Sequence, residues 1–572
     1  MSETLRTVDV HSLSAHPATA DLKPLPLPPL EQTLAQYATA LSAVLDDDER
    51  AHASRVIEDF SQSKGPLLDA TLRDRATTRE HEGTNWLHDE WYEGYLAVRG
   101  PLQLSTNVGF QLAPLGGEAA GSQRAAAAIQ RIATVHLQAA SDALPADVDA
   151  RGNRITLNQW FVFNGGLRHP RPEVDEVAIC TKSAAHREIG VFVDGRLFAL
   201  PISDAEGNIT PREYLAANLD TVLAAARTSS PDQADFNAAA LSGDVSELTE
   251  LIEHNPRTYQ RLADLLFTVD LINAAGRDDA ALLADLAFRP RGAWVYKPLS
   301  YQLGLDSDWT AVHVEHTCQD GGTLVTAVSR MQDAQVQESS TLSKHAAEEL
   351  RWDLDHTPNT PATPYTVELH TIDIPPTDLP FKFSRDASAQ LTMTIAQQLT
   401  YGRVRAVYEA VDMREYRAGR TECLRALTPE AAAFARALVA GTATREQLVA
   451  AADAHRGWVK RCKSGNGIDR HIQMLEHLDA HETDAFFRDP VVTAARKDFL
   501  STTSVGSASQ IVRYAFAPTL PEGFGIAYTP HATATEYCVS YNTDTAEKPQ
   551  EFLANLARAS ELLWQFCGEL DG

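Results

Sequence analysis

The 572-residue sequence has no run of about 18 apolar residues and no apolar stretch near its N-terminus. Neither a membrane-spanning helix nor a secretory signal is therefore expected. Cysteine is scarce: Cys180, Cys318, Cys423, Cys462, Cys538 and Cys567 are scattered, with no CxxC pair. That pattern excludes a disulfide framework and a thiolate zinc site, and it points to reduced thiols in the cytoplasm. No HExxH is present, so no metal is expected. Positive charge is in deficit, with 50 Lys and Arg against 77 Asp and Glu, a net charge of −27. Such a field repels nucleic acid and anionic membranes, and any polyanionic ligand must find a local basic patch. No repeat of 20–50 residues and no low-complexity run appears. What remains is an ordinary globular composition, 44% hydrophobic and 22% charged, in a chain long enough for two large domains.

One stretch concentrates chemistry. Residues 310–323 read TAVHVEHTCQDGGT. The alternation over 311–316 predicts a strand with Val312, Val314 and His316 in phase, stopped by a Gly-Gly break. A histidine at a strand end, with Asp320 four residues on, suits a general base at the mouth of a cleft. The nearby His313 and Glu315 fall on the opposite face of such a strand, so these residues do not converge on a metal. Cys318 is read as packing rather than as a nucleophile.

Residues 1–30 form a polar lead ending in a proline-rich run, expected as an extended tether. A helix is expected through Leu34, Tyr37, Leu41 and Leu45, with the acids at 46–49 as a solvated turn at its end. The aromatic-rich residues 85–107 read as a buried helix and a following extended segment. Asp194-Gly195 between apolar runs predicts a hairpin, and Thr210-Pro211-Arg212-Glu213 opens a helix. The proline-rich residues 371–380 mark a domain boundary. Beyond it, helices are expected at 387–408 and 429–440, strands at 510–517, 524–529 and 535–541, and a last helix at 549–566.

Seven segments occur in a telling order: LPPLEQTLAQY at 27–37, NWLHDEWY at 85–92, VEHTCQDG at 314–321, VYEAVDMREYRAGRTECLR at 407–425, GNGIDRH at 465–471, LSTTS at 500–504 and EGFGIAY at 522–528. Together they resemble the choline/carnitine acyltransferases over nearly the whole chain. The resemblance implies an α/β fold of two chloramphenicol-acetyltransferase-like domains with an active-site tunnel between them. The expected division is a lead at 1–30, an N-terminal domain at 31–375 and a C-terminal domain at 376–572, with discontinuous boundaries allowed.

The resemblance also implies roles. His316 matches the catalytic base and Asp320 the acidic position after it. The Ser/Thr run supplies the oxyanion donor, Thr503 in preference to Ser504, with Ser501 at the acceptor. Tyr408, Thr421 and Arg470 fall where carnitine enzymes hold a carboxylate; Arg470 could otherwise be tied up in an ion pair with Asp469. An always-charged guanidinium suits a carboxylate. Asp386 matches a residue near coenzyme A, but Pro375 and Leu379 stand where the family usually carries two lysines for the 3′-phosphate. Only Lys382 and Arg385 remain nearby.

The expected function is acyl transfer from a thioester, acyl-coenzyme A as co-substrate, to the hydroxyl of a small, carboxylate-bearing acceptor such as carnitine. The alternatives are a phosphopantetheine thioester on an acyl carrier protein as donor, and a non-catalytic relative that binds an acyl or ammonium ligand. No nucleic-acid partner and no permanently bound cofactor are expected.

Overall fold

A computed structural model describes residues 5–13, 15–227, 236–340, 346–354, 363–376, 379–479 and 484–570. Two mixed sheets dominate. The first runs in the order Glu348–Glu349, Arg196–Pro201, Glu188–Val193, Thr268–Ile272, Leu299–Gly304, Thr310–Val314, Val108–Leu112, Ile511–Phe516. The second runs Tyr365–Asp373, Ala534–Asn542, Phe524–Pro530, Leu500–Thr503, Val407–Asp412, Thr421–Arg425. Each sheet is covered by helices over its own apolar core. The α/β architecture that the resemblance implies is thus present.

The sheets are discontinuous in sequence. Tyr365–Asp373 precedes residue 376 yet pairs with Ala534–Asn542 in the second sheet. Ile511–Phe516 crosses over to pair with Val108–Leu112 in the first. The early helices, through Leu34, Tyr37 and Phe60, pack into the core of the second sheet. A cut at 375/376 therefore does not follow the sheets. Of the proline-rich connection at 371–380, residues 377–378 lie outside the described residues, and its first three residues finish a strand.

Local chemistry explains where elements begin and end. The hairpin at Asp194-Gly195 forms, both residues having positive φ, 50° and 79°. Four expectations need correction. The acids at 46–49 do not close the first helix, which spans Leu30–Leu41. They open the next, Asp47–Gln62, where Asp46 and Glu49 form a reciprocal capping box. Acids are favoured at that positive helix end and disfavoured at the other. The lead is no free tether: Val10 and Thr19 are buried, and Trp86 donates its indole N–H to the carbonyls of Leu25 and Pro26. The helix expected at 387–408 spans Arg385–Tyr401 and stops at Gly402, whose φ of 67° only glycine adopts without strain. Tyr408 consequently lies on the strand Val407–Asp412. Finally, the strand Thr310–Val314 ends two residues before His316, which sits in the turn that follows.

Among the described residues, no helix is long and apolar enough to cross a membrane.

Candidate active site

A cavity of about 1600 Å³ opens between the two sheets. His316 and Asp320 line it, as do Tyr408, Thr421, Arg470, Ser501, Thr503 and Ser504. Residues spread over almost 200 positions of sequence are thus brought to one space. Lys382 and Asp386 are not part of that lining.

His316 is held by ring stacking. Its ring stacks on Tyr95, centroids 5.6 Å apart and planes 4° from parallel. Nδ1 is buried without a hydrogen-bond partner and lies 3.9 Å from Asp320 Oδ1. That leaves Nε2 as the nitrogen able to reach a substrate. Burial pushes the imidazole below the usual histidine pKa, and Asp320 only partly counters it. A pKa on that side of the ordinary value favours the neutral ring at neutral pH.

Asp320 does not serve His316 first. Arg420 donates to both of its oxygens, Nε to Oδ2 at 2.7 Å and Nη2 to Oδ1 at 3.0 Å, and Gln159 donates to Oδ2 at 2.7 Å. Burial disfavours the Asp320 charge, but these bonds more than offset it and hold its pKa below the ordinary range. Arg420 also donates to the carbonyls of Thr317 and His316, at 2.8 and 3.3 Å. One guanidinium thereby fixes the whole turn that carries the histidine. The neighbouring His313 is spent elsewhere, on Asn107 and the Leu286 carbonyl, and Glu315 on Arg168 and Thr317. They form no metal cluster with His316.

Tyr408, Thr421 and Arg470, the trio that the resemblance assigns to an acceptor carboxylate, also assemble. Arg470 Nη2 donates to the Tyr408 hydroxyl at 3.4 Å, Nε to the Thr421 carbonyl at 3.2 Å and Nη1 to Gln473 at 3.0 Å. Asp469 is not its partner, because Arg425 takes that carboxylate. Among the described residues no ion pair of Arg470 is present. Its guanidinium and that of Arg420 both lie over the Trp91 ring, 4.7 and 4.9 Å from the centroid. The Trp91 indole N–H is buried without a partner. Behind Arg470, burial lifts Glu422 to a pKa of about 7, so this acid is an incomplete counter-ion.

The strand Leu500–Thr503 runs parallel to Val407–Asp412 with Ser501 opposite Tyr408. Alternation sends successive hydroxyls to different tasks. Ser501 bonds Thr519 at 2.7 Å and Thr502 donates to the Tyr408 carbonyl at 2.7 Å, while Thr503 accepts from the Tyr514 hydroxyl at 3.3 Å. Thr503 thus keeps its own proton for another acceptor. Ser504 accepts from the Gly506 N–H at 3.4 Å.

Lys382 is exposed and stands away from this group. Asp386 lies at the start of the helix Arg385–Tyr401 and is bonded to His455 Nε2 at 2.7 Å. Asp386, Glu409 and His455 place their ligand atoms within 4.8 Å of one another. The Tyr528 hydroxyl sits between the two carboxylates, while Glu409 Oε2 and His455 Nδ1 are buried without a hydrogen-bond partner. Burial, and then the neighbouring Asp386 charge, raise the Glu409 pKa well above the usual carboxylate range.

Sequence reasoning missed Arg420, Gln159, Tyr95, Trp91 and Tyr514. Arg420 stands beside Thr421 in the quoted AGRTE segment, and Trp91 and Tyr95 lie in the aromatic stretch read only as a buried helix.

Two mixed sheets enclose a cavity lined by a buried histidine and several hydroxyls, and the chain is an O-acyltransferase. The chain belongs to the choline/carnitine O-acyltransferase family, whose model matches residues 25–363 and 378–558. It is 23% identical over 580 residues to carnitine O-acetyltransferase of Homo sapiens, covering 93% of this chain and 91% of that protein. It is 25% identical over 577 residues to mitochondrial carnitine O-palmitoyltransferase 2 of Mus musculus, covering 89% and 86%. Among solved structures, it is similar to the TRI3 trichothecene 15-O-acetyltransferase of Fusarium sporotrichioides, with a TM-score of 0.40 and 10% identity over 83% of this chain and 93% of that one.

Proposed function

We propose that the protein transfers an acyl group from a coenzyme A thioester to the hydroxyl of a small carboxylate-bearing acceptor of the carnitine type. His316 Nε2 removes the hydroxyl proton as the acceptor oxygen attacks the thioester carbonyl. The C=O electron pair moves onto oxygen, and Thr503 donates a hydrogen bond to that oxyanion. Collapse restores the carbonyl and breaks the C–S bond, and the imidazolium returns its proton to the departing thiolate. Ester and free thiol are the balanced products. Asp320 supplies a fixed negative charge near the imidazolium, but its direct bonds to Arg420 keep it from charging the ring beforehand.

The observation that carries this reading is Arg470, a guanidinium without an ion pair among the described residues, in the same cavity as His316. Tyr408 and Thr421 complete its surround, and Ser501 adds a hydroxyl on the same side. All six cysteines are free and buried, which supports a reducing, cytoplasmic setting. A carrier-protein thioester is the second reading for the donor, favoured by Pro375 and Leu379 in place of lysines. His316→Ala tests the chemistry: transfer from acyl-coenzyme A to carnitine should fall by about 10²–10⁴ while the fold is kept. Retention of more than about a tenth of the activity would show that His316 is not the base.

A further inference from the structure

The lysines that would grip the donor's phosphate are absent from 375 and 379, yet positive charge gathers on the cavity from elsewhere. The helix Arg445–Lys463 turns Arg456, Val459, Lys460 and Lys463 toward it, a spacing of three and four that puts them on one face. Lys23 and Arg151 line the same cavity from the N-terminal part of the chain. In a protein of net charge −27 this is a local reversal of sign.

Much of that charge is uncommitted. Lys463 is paired with Glu415, and Arg456 makes only an exposed pair with Asp453. Lys23 rests over the Tyr416 ring, 4.1 Å from its centroid. Among the described residues, Lys23, Arg151 and Lys460 make no ion pair. The helix is also tied to the other end of the expected donor site. His455, next to Arg456, bonds Asp386, so one rigid element joins that carboxylate to the cationic face.

We propose that this helix face, with Lys23 and Arg151, holds the phosphates of a nucleotide-bearing thioester, free coenzyme A, in place of the missing lysines. The proposal rests on the acyl-transfer reading above and names its donor. It also separates the phosphates: this face takes the diphosphate that coenzyme A and its dephospho form share, whereas the lost lysines would have served the 3′-phosphate alone.

The test is calorimetric binding of coenzyme A, dephospho-coenzyme A and pantetheine to the full chain and to the Arg456→Glu/Lys460→Glu variant, both exposed positions. The wild type should bind coenzyme A and its dephospho form within about threefold of each other and pantetheine at least about tenfold more weakly. The variant should lose about tenfold or more for both nucleotides and nothing for pantetheine, and the salt dependence of nucleotide binding should flatten. Equal binding of all three by the wild type, or an unchanged nucleotide affinity in the variant, overturns the proposal. So does a wild type that transfers from an acylated carrier protein more efficiently than from acyl-coenzyme A. Because binding is read without turnover, failure of the transfer chemistry would show separately, as nucleotide binding with no acylated product.

Discussion

Replacing Arg470 by asparagine should decide which acceptor the cavity was built for. The guanidinium is bonded to the Thr421 carbonyl, Gln473 and Tyr408, all neutral groups, and the nearby Glu422, with a pKa of about 7, is only half an anion at neutral pH. An acceptor carboxylate would complete the neutralisation that the protein leaves undone. Losing one buried charge-assisted contact of this kind costs about 2–4 kcal/mol, or roughly 30- to 1000-fold in kcat/KM. The assay compares carnitine with choline at one acyl-coenzyme A concentration, with thermal unfolding as a control. Carnitine should lose that factor, mostly through KM, because the carboxylate is gripped alike in ground and transition states. Choline, which has no carboxylate, should lose little or improve as a nearby cation is removed from its ammonium. Equal losses for the two acceptors would refute the argument and make Arg470 a structural residue. So would a fall in the unfolding midpoint large enough to explain the loss.

The pH dependence follows from the burial of His316. Its folded pKa lies below the ordinary 6.5, so the base is free at neutral pH, and kcat/KM should rise through a value under 6.5 and stay level up to about 8. An acid limb centred above 6.5 would show that the ring is not held neutral. Thr503→Val should lower kcat by about 10² with little change in binding. Affinity loss alone would reduce Thr503 to lining, and a null result with a large effect of Ser504→Ala would move the role by one residue. Arg420→Met should cost about 3–5 kcal/mol of stability in denaturant unfolding by leaving the Asp320 charge buried beside Gln159 alone. Adding Asp320→Asn should recover part of that loss; if it does not, the ion pair is not the source.

What the sequence disclosed and what it withheld have a common physical reason. Groups lining a site must be particular chemical types at particular places, so His316, Arg470, Tyr408 and the hydroxyl run, which line one cavity, carry a pattern that can be read along the chain. The strands were legible where alternation or a Asp-Gly turn imposed them, as at 191–198. The helix end at Gly402 was missed because the apolar pattern runs on past it, and only the backbone conformation of one residue ends it. The acids at 46–49 were assigned to the wrong helix because a cap belongs to whichever helix its side chain can reach.

Arg420 was the least legible of all, and it is the residue that ties the site together. An arginine in a strand turn has no signature of its own; its meaning lies in Asp320, 100 positions earlier, and in the carbonyls of Thr317 and His316. Without it, Asp320 would keep Gln159 as its neutral partner and face His316, 3.9 Å away, as a free charge that favours the imidazolium. A base already protonated cannot accept the acceptor's proton. With Arg420 in place the carboxylate is neutralised at rest, and burial controls the ring instead. The guanidinium thus works on His316 through a third group, which is why no local pattern around His316 could announce it.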